Sequence, residues 1–258
     1  MVNSALNWGL FQNFFRREVE GRYFGTITGL AWALVHPVLL LLVYQFVFTT
    51  MFRAVDIVGT SFITFLAVAL WPWLATQEAI QKATTSIPTY GGLIRKVAFP
   101  HEIVVYSSVA ATLFIHFVGY VIVLIALRAM GKPLTLIGLV TAIPIWLVLG
   151  IAVAGIGLAL SSLHVYVRDV EHVLSPVLMM LMYLTPILYP LTVVPSGLRR
   201  WVELNPFTWV AGRLRSALMD GNFAPQSSDL FALLVAIALF LGGRWMFLRL
   251  SPHFEDFV

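Results

Sequence analysis

The stretch GTITGLAWALVHPVLLLLVYQFVFTTMF, residues 25–52, runs for 28 residues without an Asp, Glu, Lys or Arg. A helix rises about 1.5 Å per residue and a bilayer's hydrocarbon core is roughly 30 Å thick, so about 20 apolar residues cross it. A charge at the centre of such a segment costs about 2.5–3.5 kcal/mol on insertion, which makes long charge-free windows rare elsewhere. Four more windows share this property: 57–77, 103–127, 133–167 and 172–198. Trimming these at their polar ends and admitting a weaker segment around Arg244 predicts an all-α, polytopic membrane protein with six transmembrane helices. Their expected bounds are 25–52, 57–81, 103–128, 134–165, 172–193 and 229–249, within a single membrane domain over 1–258.

Composition agrees, because 60% hydrophobic and 11% charged residues in a chain of 258 leave no room for a large soluble domain. The net charge of +4 is spread along the chain without a basic run, which argues against a nucleic-acid partner. No cysteine is present, so disulfides, thiolate metal sites and a Cys nucleophile are excluded. Near the start, Arg16, Arg17, Glu18 and Glu20 follow an apolar half, the reverse of a secretory signal.

Residues 1–22 place Leu6, Leu10, Phe11, Phe14 and Phe15 at helical spacing in a segment too short and too charged to span. This predicts an interfacial helix, since those side chains would otherwise face water. Gly21, Gly25, Gly29 and Ala33 recur every fourth residue, and so do Gly150 with Ala154, Gly155 with Ala159, and Gly157 with Ser161. Such strips let helices approach closely.

Motifs for phosphate binding, metalloproteolysis or a Ser nucleophile are absent, and no His, Asp or Glu cluster has ligand spacing, so no catalytic or metal residue is assigned. The chain cannot hydrolyse ATP by itself. His36, His116 and His164 sit singly near or within apolar runs, where a hydrogen-bonded packing role outweighs a proton or substrate site. Glu78 and Lys82, four apart, read as a helical ion pair, with a gate latch as the alternative.

Aromatics make up 14% of the chain, and Trp32, Tyr44, Trp71, Trp73, Tyr183 and Tyr189 fall inside spans. An uncharged aromatic face suits a sugar, whose C–H face stacks on the ring while a Tyr hydroxyl or Trp N–H offers a hydrogen bond. These six are therefore candidate lining residues of a substrate conduit, although aromatics in bilayers are more often belt or packing residues. Over 195–221, two helical patterns are interrupted by Asn205-Pro206. They predict a short outer-side helical hairpin between helices five and six, a candidate outer gate carried by Trp201, Asn205, Pro206, Trp209 and Arg215. With six spans both termini share one side. Nine basic residues then lie inside against seven outside, and four of those seven belong to one loop, which favours cytoplasmic termini.

Several separated stretches match one pattern: Arg17-Glu18, Arg22-Tyr23 and Gly29-Leu30-Ala31-Trp32 with Pro37; Leu93 to Glu102, read LIRKVAFPHE; Arg168-Asp169; Thr185-Pro186-Ile187; and Asn205-Pro206-Phe207 with Arg215. Together the chain resembles the ABC type-2 exporter permeases, and within them the subunits that export O-antigen, capsular polysaccharide or teichoic acid. Two positions depart from the family pattern, Glu18 where Arg-Asp is commoner and Val105 where a proline is. The resemblance implies a half-channel that pairs with a second copy of itself as a homodimer in the bacterial inner membrane. It implies two separate nucleotide-binding ATPase subunits, with ATP and Mg bound there and no cofactor on this chain. Contacts to the ATPase would come from the interfacial helix with Arg16, Arg17 and Glu18. The loop with Lys96, Phe99, Pro100, His101 and Glu102, in which Phe99 supplies an apolar knob, and the turn at Arg168-Asp169 would complete them.

The expected function is therefore ATP-driven export of a lipid-linked polysaccharide, with membrane lipid as the other contact. A drug or lipid exporter of the same fold is the near alternative. From another class comes a membrane enzyme acting on lipid-linked sugars; it would need an acid, base or nucleophile at the interface, and Glu78, Glu102, Asp169 and Glu171 show no catalytic spacing.

Overall fold

The computed structural model describes residues 4–21, 29–51, 53 and 61–257, with side chains for all of these except 4–6 and 29–34. Ten α-helices follow one another among the described residues: α1 Ser4–Gly21, α2 Gly29–Thr50, α3 Phe62–Thr89, α4 Gly91–Ile94, α5 Glu102–Ala129, α6 Gly138–Tyr166, α7 Val170–Leu184, α8 Ser196–Leu204, α9 Pro206–Leu218 and α10 Ser227–Leu250. A 3-10 turn at Leu191–Val193 precedes α8, and a second at Ser251–Asp256 ends the chain's ordered helices. The protein is an all-helical, multi-pass membrane protein. Among the described residues, four helices are long and apolar enough to cross a bilayer, α3, α5, α6 and α10, and the shorter apolar stretches Val35–Thr50 and Val170–Leu184 accompany them.

α3 is the centre of the bundle. From Thr64 to Trp73 every residue is buried, and α2, α5, α6, α7 and α9 all pack against it. Pro72 sits inside α3 and has no N–H to give the carbonyl of Val68. The hydroxyl of Tyr120, on α5, donates to that carbonyl at 3.1 Å. A neighbouring helix thus meets the backbone demand that lipid cannot.

The tightest packing joins α6 and α10. A Cβ added to Gly155 would lie 2.5 Å from the carbonyl of Leu239, and one on Gly243 would lie 2.0 Å from the carbonyl oxygen of Gly155. Gly157 similarly abuts Ala83 of α3, at 2.8 Å. The small-residue strip of this span is therefore a packing surface on two sides. At Gly21 an added Cβ would meet nothing within 4 Å, and Gly25 lies outside the described residues.

Two boundaries differ most from expectation. The fifth span stops at Leu184 rather than Val193, because Thr185 precedes Pro186 and takes an extended conformation, φ −100° and ψ 138°. α3 continues past residue 81 to Thr89, since Ala83 and Ile87 remain fully packed. Residues 57–60, with which the second span was expected to begin, lie outside the described residues. At the hairpin, Asn205 Oδ1 accepts from the N–H of Phe207 at 3.0 Å and Pro206 occupies the first turn, so the predicted break becomes the cap of α9.

Candidate functional site

Chemistry-bearing side chains gather at the two ends of the bundle. At the end that carries both termini, α1 lies across α5, with the hydroxyl of Ser107 donating to the carbonyl of Phe11 at 3.3 Å. The Tyr90 hydroxyl donates to Glu18 at 2.8 Å, and the Arg17 guanidinium stands 5.2 Å from the Tyr90 ring centroid. Burial, reinforced by Glu18, raises the Tyr90 pKa, which keeps the phenol a donor. Arg16 pairs with Glu20 at 2.5 Å on the exposed face of α1.

From α1 a chain of rings crosses this end. Phe14 stacks on Phe99 at 5.7 Å, Phe99 meets His101 at 5.3 Å, and His101 stacks on Phe254 at 6.1 Å. Phe254 is fully buried and touches Phe247 and Tyr166 at 5.3 and 6.2 Å. The Tyr166 hydroxyl donates to the carbonyl of Leu250 at 2.8 Å. The terminal 3-10 turn is thus keyed between the loop before α5 and the end of α6. Burial lowers the His101 pKa, opposed in part by Glu255.

Phe99, expected as an outward knob, is turned inward, and the exposed apolar side chain is Val97, at 50%. Arg95 and Lys96 beside it are exposed, Pro100 is half-buried, and Arg168 and Asp169 are exposed at the turn into α7. Glu102 holds Arg244 of α10 through two contacts, 3.1 and 3.3 Å.

At the far end, Arg215 reaches three backbone carbonyls: Phe65 at 3.3 Å, Pro186 at 2.6 Å and Ile187 at 2.7 Å. Its guanidinium lies 3.4 Å from the Phe65 ring centroid. Asn205 donates to Thr185 at 2.9 Å. Trp209 donates to Asp229 at 3.0 Å, and Arg213 pairs with the same carboxylate at 2.8 Å. Trp209, Arg213 and Asp229 border a pocket of about 460 Å³ between α6, α9 and α10. Trp201 on α8 is 73% exposed.

The six aromatics split into two groups. Trp71 and Trp73 are core residues, 1% and 3% exposed, the former donating to the carbonyl of His116 at 2.9 Å and the latter edge-on to Phe207 at 5.2 Å. Neither presents a face to a conduit in this conformation. Tyr44 lies near Tyr183, and Tyr189 donates to the carbonyl of Tyr183 at 2.8 Å, forming a cluster where α2 and α7 approach the far end. The side chain of Trp32 lies outside the described residues.

Sequence reasoning treated Glu78 and His116 separately, yet Glu78 Oε2 and His116 Nε2 are 2.7 Å apart, with Lys82 at 4.0 Å from the same carboxylate. A signal existed, since positions 78 and 116 lie at similar distances on either side of the connection between two antiparallel helices. Arg213 and Asp229 had no such signal, being on elements separated by a loop of undetermined course. Among the described residues no group of three His, Asp or Glu is placed to hold a metal ion.

The sequence profile of the family described as ABC-2 type transporter matches residues 9–219. The O-antigen export system permease protein RfbA of Myxococcus xanthus is 26% identical over 97% of this chain and 95% of that protein. A protein of the same name from Klebsiella pneumoniae is 27% identical over 80% of the chain and 78% of its own length. The polysialic acid transport protein KpsM of Escherichia coli is 24% identical over 88% of each.

Proposed function

Because the chain belongs to the ABC-2 type transporter family, we propose that it is the permease subunit of an ATP-driven exporter of lipid-linked polysaccharide in the bacterial cytoplasmic membrane. Two copies pair, and each sits on one of two separate ATPase subunits that bind ATP and Mg. Both termini face the cytoplasm. The observation that carries this reading is likeness along nearly the whole chain to proteins named for O-antigen export and polysialic acid transport. The missing phosphate-binding loop supports a separate source of ATP hydrolysis.

The terminal end suits a docking platform. Arg95, Lys96 and Val97 present two charges and an apolar side chain, and the exposed Arg168-Asp169 turn stands at the same end. Beneath them the rings from Phe14 to Tyr166 join α1, the loop before α5, the chain's last turn and the end of α6. A push on the loop would therefore reach several spans at once, because packed side chains transmit displacement rather than absorb it. The tyrosine cluster at the far end and the hairpin clamped by Arg215 would then be what opens.

Phosphate release by the purified permease, by the ATPase subunit and by both together tests the reading, alongside surface polymer in cells lacking the chain. The expected outcome is hydrolysis that requires the ATPase subunit and polymer that requires the permease. Val97→Asp should abolish co-purification of the two subunits while membrane insertion stays normal. Turnover by the permease alone, or surface polymer that persists without it, would falsify the assignment.

A further inference from the structure

Below Trp73 the central helix changes character. Leu74 to Thr89 covers about 22 Å at the helical rise, roughly the terminal-end half of a bilayer crossing and its interface. In this part the buried residues face α5 and α6, while Gln77, Glu78, Gln81, Lys82, Thr85 and Thr89 are partly or fully exposed. Their spacing of three and four puts them on one side of the helix. An otherwise core helix thus carries one open strip, and between Leu74 and Pro88 at its two ends that strip is polar.

Three observations say what the strip faces. Polar side chains within a span are costly against lipid, so they face protein or a water-filled cavity. The strip is bordered on one side by α7, where Gln81 Nε2 donates to Ser175 at 3.2 Å, and on the other by α5, where His116 meets Glu78. It also ends at the level where α3 becomes fully buried, toward the end at which Tyr44, Tyr183 and Tyr189 gather.

We infer that this strip on α3 is a hydrogen-bonding rail of the conduit, along which a hydroxyl-rich polymer passes from the terminal end to the tyrosine cluster. The inference rests on the export reading and adds the residues and the chemistry of the ligand. Gln77 and Gln81 offer amide groups that both donate and accept, which matches hydroxyls that do the same. Glu78 and Lys82 carry opposite charges 4.0 Å apart, and His116 holds the carboxylate. The rail therefore presents little net field, as suits a sugar chain selected neither as an anion nor as a cation. Successive equivalent contacts let a polymer move from one amide to the next, whereas a single deep site would hold it. A second copy would supply the opposite wall.

The chain contains no cysteine, so single thiols can be placed at Gln77→Cys, Gln81→Cys and Thr85→Cys. A membrane-impermeant sulfonated maleimide, applied to the permease with its ATPase in membranes, reports water at each position, because the reactive species is the thiolate. Ile122→Cys, on the exposed apolar face of α5, is the lipid-facing control. Rail positions should label roughly ten-fold faster or more than the control, since a thiol in hydrocarbon stays protonated. Rates equal to the control mean lipid or a dry interface, and overturn the rail. In the second arm, Gln77→Leu with Gln81→Leu should lower surface polymer about ten-fold through lost hydrogen bonds to its hydroxyls, at unchanged abundance and unchanged association with the ATPase. Fast labelling with undiminished export by this double variant overturns the hydrogen-bonding role. Fast labelling in a cell whose surface polymer does not depend on the chain sinks the export reading and leaves an aqueous strip. Slow labelling with polymer that does depend on the chain does the reverse.

Discussion

At the terminal end Phe14, Phe99, His101 and Phe254 touch ring to ring at 5.3 to 6.1 Å, whereas at the far end one guanidinium, Arg215, holds carbonyls of α3 and of the segment after α7. Ring stacks are weakly directional and tolerate sliding, each worth about 0.5–1.5 kcal/mol beyond area burial. Charged hydrogen bonds are directional, worth about 1.5–3 kcal/mol each, and leave expensive orphans when broken. One end is built to be displaced without coming apart. The other holds one geometry until several bonds let go together.

The largest expected effect tests that rigidity. Arg215→Ala strands the carbonyls of Pro186 and Ile187, at about 1–3 kcal/mol for each group left unsatisfied. Thermal unfolding of the purified permease should show a large drop in midpoint. Arg215→Lys should recover only part of it, because an ammonium cannot reproduce the planar fork. An unchanged midpoint in the alanine variant would mean that the hairpin is not clamped.

Phe254→Ala should behave differently. A buried Phe truncated to Ala commonly costs about 3–5 kcal/mol, but the last turn can detach, so the loss is capped by its own docking free energy. Limited proteolysis should release residues after Leu250 while the unfolding midpoint of the bundle barely moves. A global loss of stability instead would place the tail in the core and erase the contrast between the ends.

Asn205→Ala removes the cap of α9 and the link to Thr185, and cap loss is worth about 1 kcal/mol. The midpoint should fall by less than in Arg215→Ala. If it falls by more, the cap and not the guanidinium is what fastens the hairpin.

The smallest effect is that of pH on the stack. Burial depresses the His101 pKa, with Glu255 opposing, so His101 takes up a proton more readily when the tail is detached than when it is docked. Stability from this contact is full above the unfolded value of about 6.5 and is lost as pH falls through the depressed folded value. Cleavage of the tail should accelerate between pH 7.5 and 5.5. His101→Phe, which cannot titrate, should remove that acceleration.

Much of the fold was legible along the chain because lipid is a uniform solvent that reads hydrophobicity one segment at a time. Among the described residues the charge-free windows overlap α2, α3, α5, α6 and α7, although Thr185-Pro186 ended α7 early and packing carried α3 on to Thr89. Asn205-Pro206 marked the hairpin break, since capping and the missing proline N–H act within one turn. Gly155 and Gly157 marked a packing strip for the same local reason. The aromatics could not be sorted this way. Trp71 and Tyr44 both sit in apolar runs, yet one is enclosed by α5 and the other meets Tyr183 on α7, and a helix's own sequence does not say which neighbour covers which face. Phe99 turned inward while Val97 stayed out because Phe14, far away in sequence, arrived beside it.

Sequence by itself determined that the chain is a helical membrane protein with a helical start, a proline-broken pair of helices before its last long helix, and family motifs in fixed order, since each depends on residues within a turn or two. The tertiary structure alone decided that Arg215 ties α9 to two other segments, that Phe254 locks beneath His101, and that α3 is sealed above Trp73 and polar below. Those features depend on which faces meet, and that choice is made by packing the whole bundle at once.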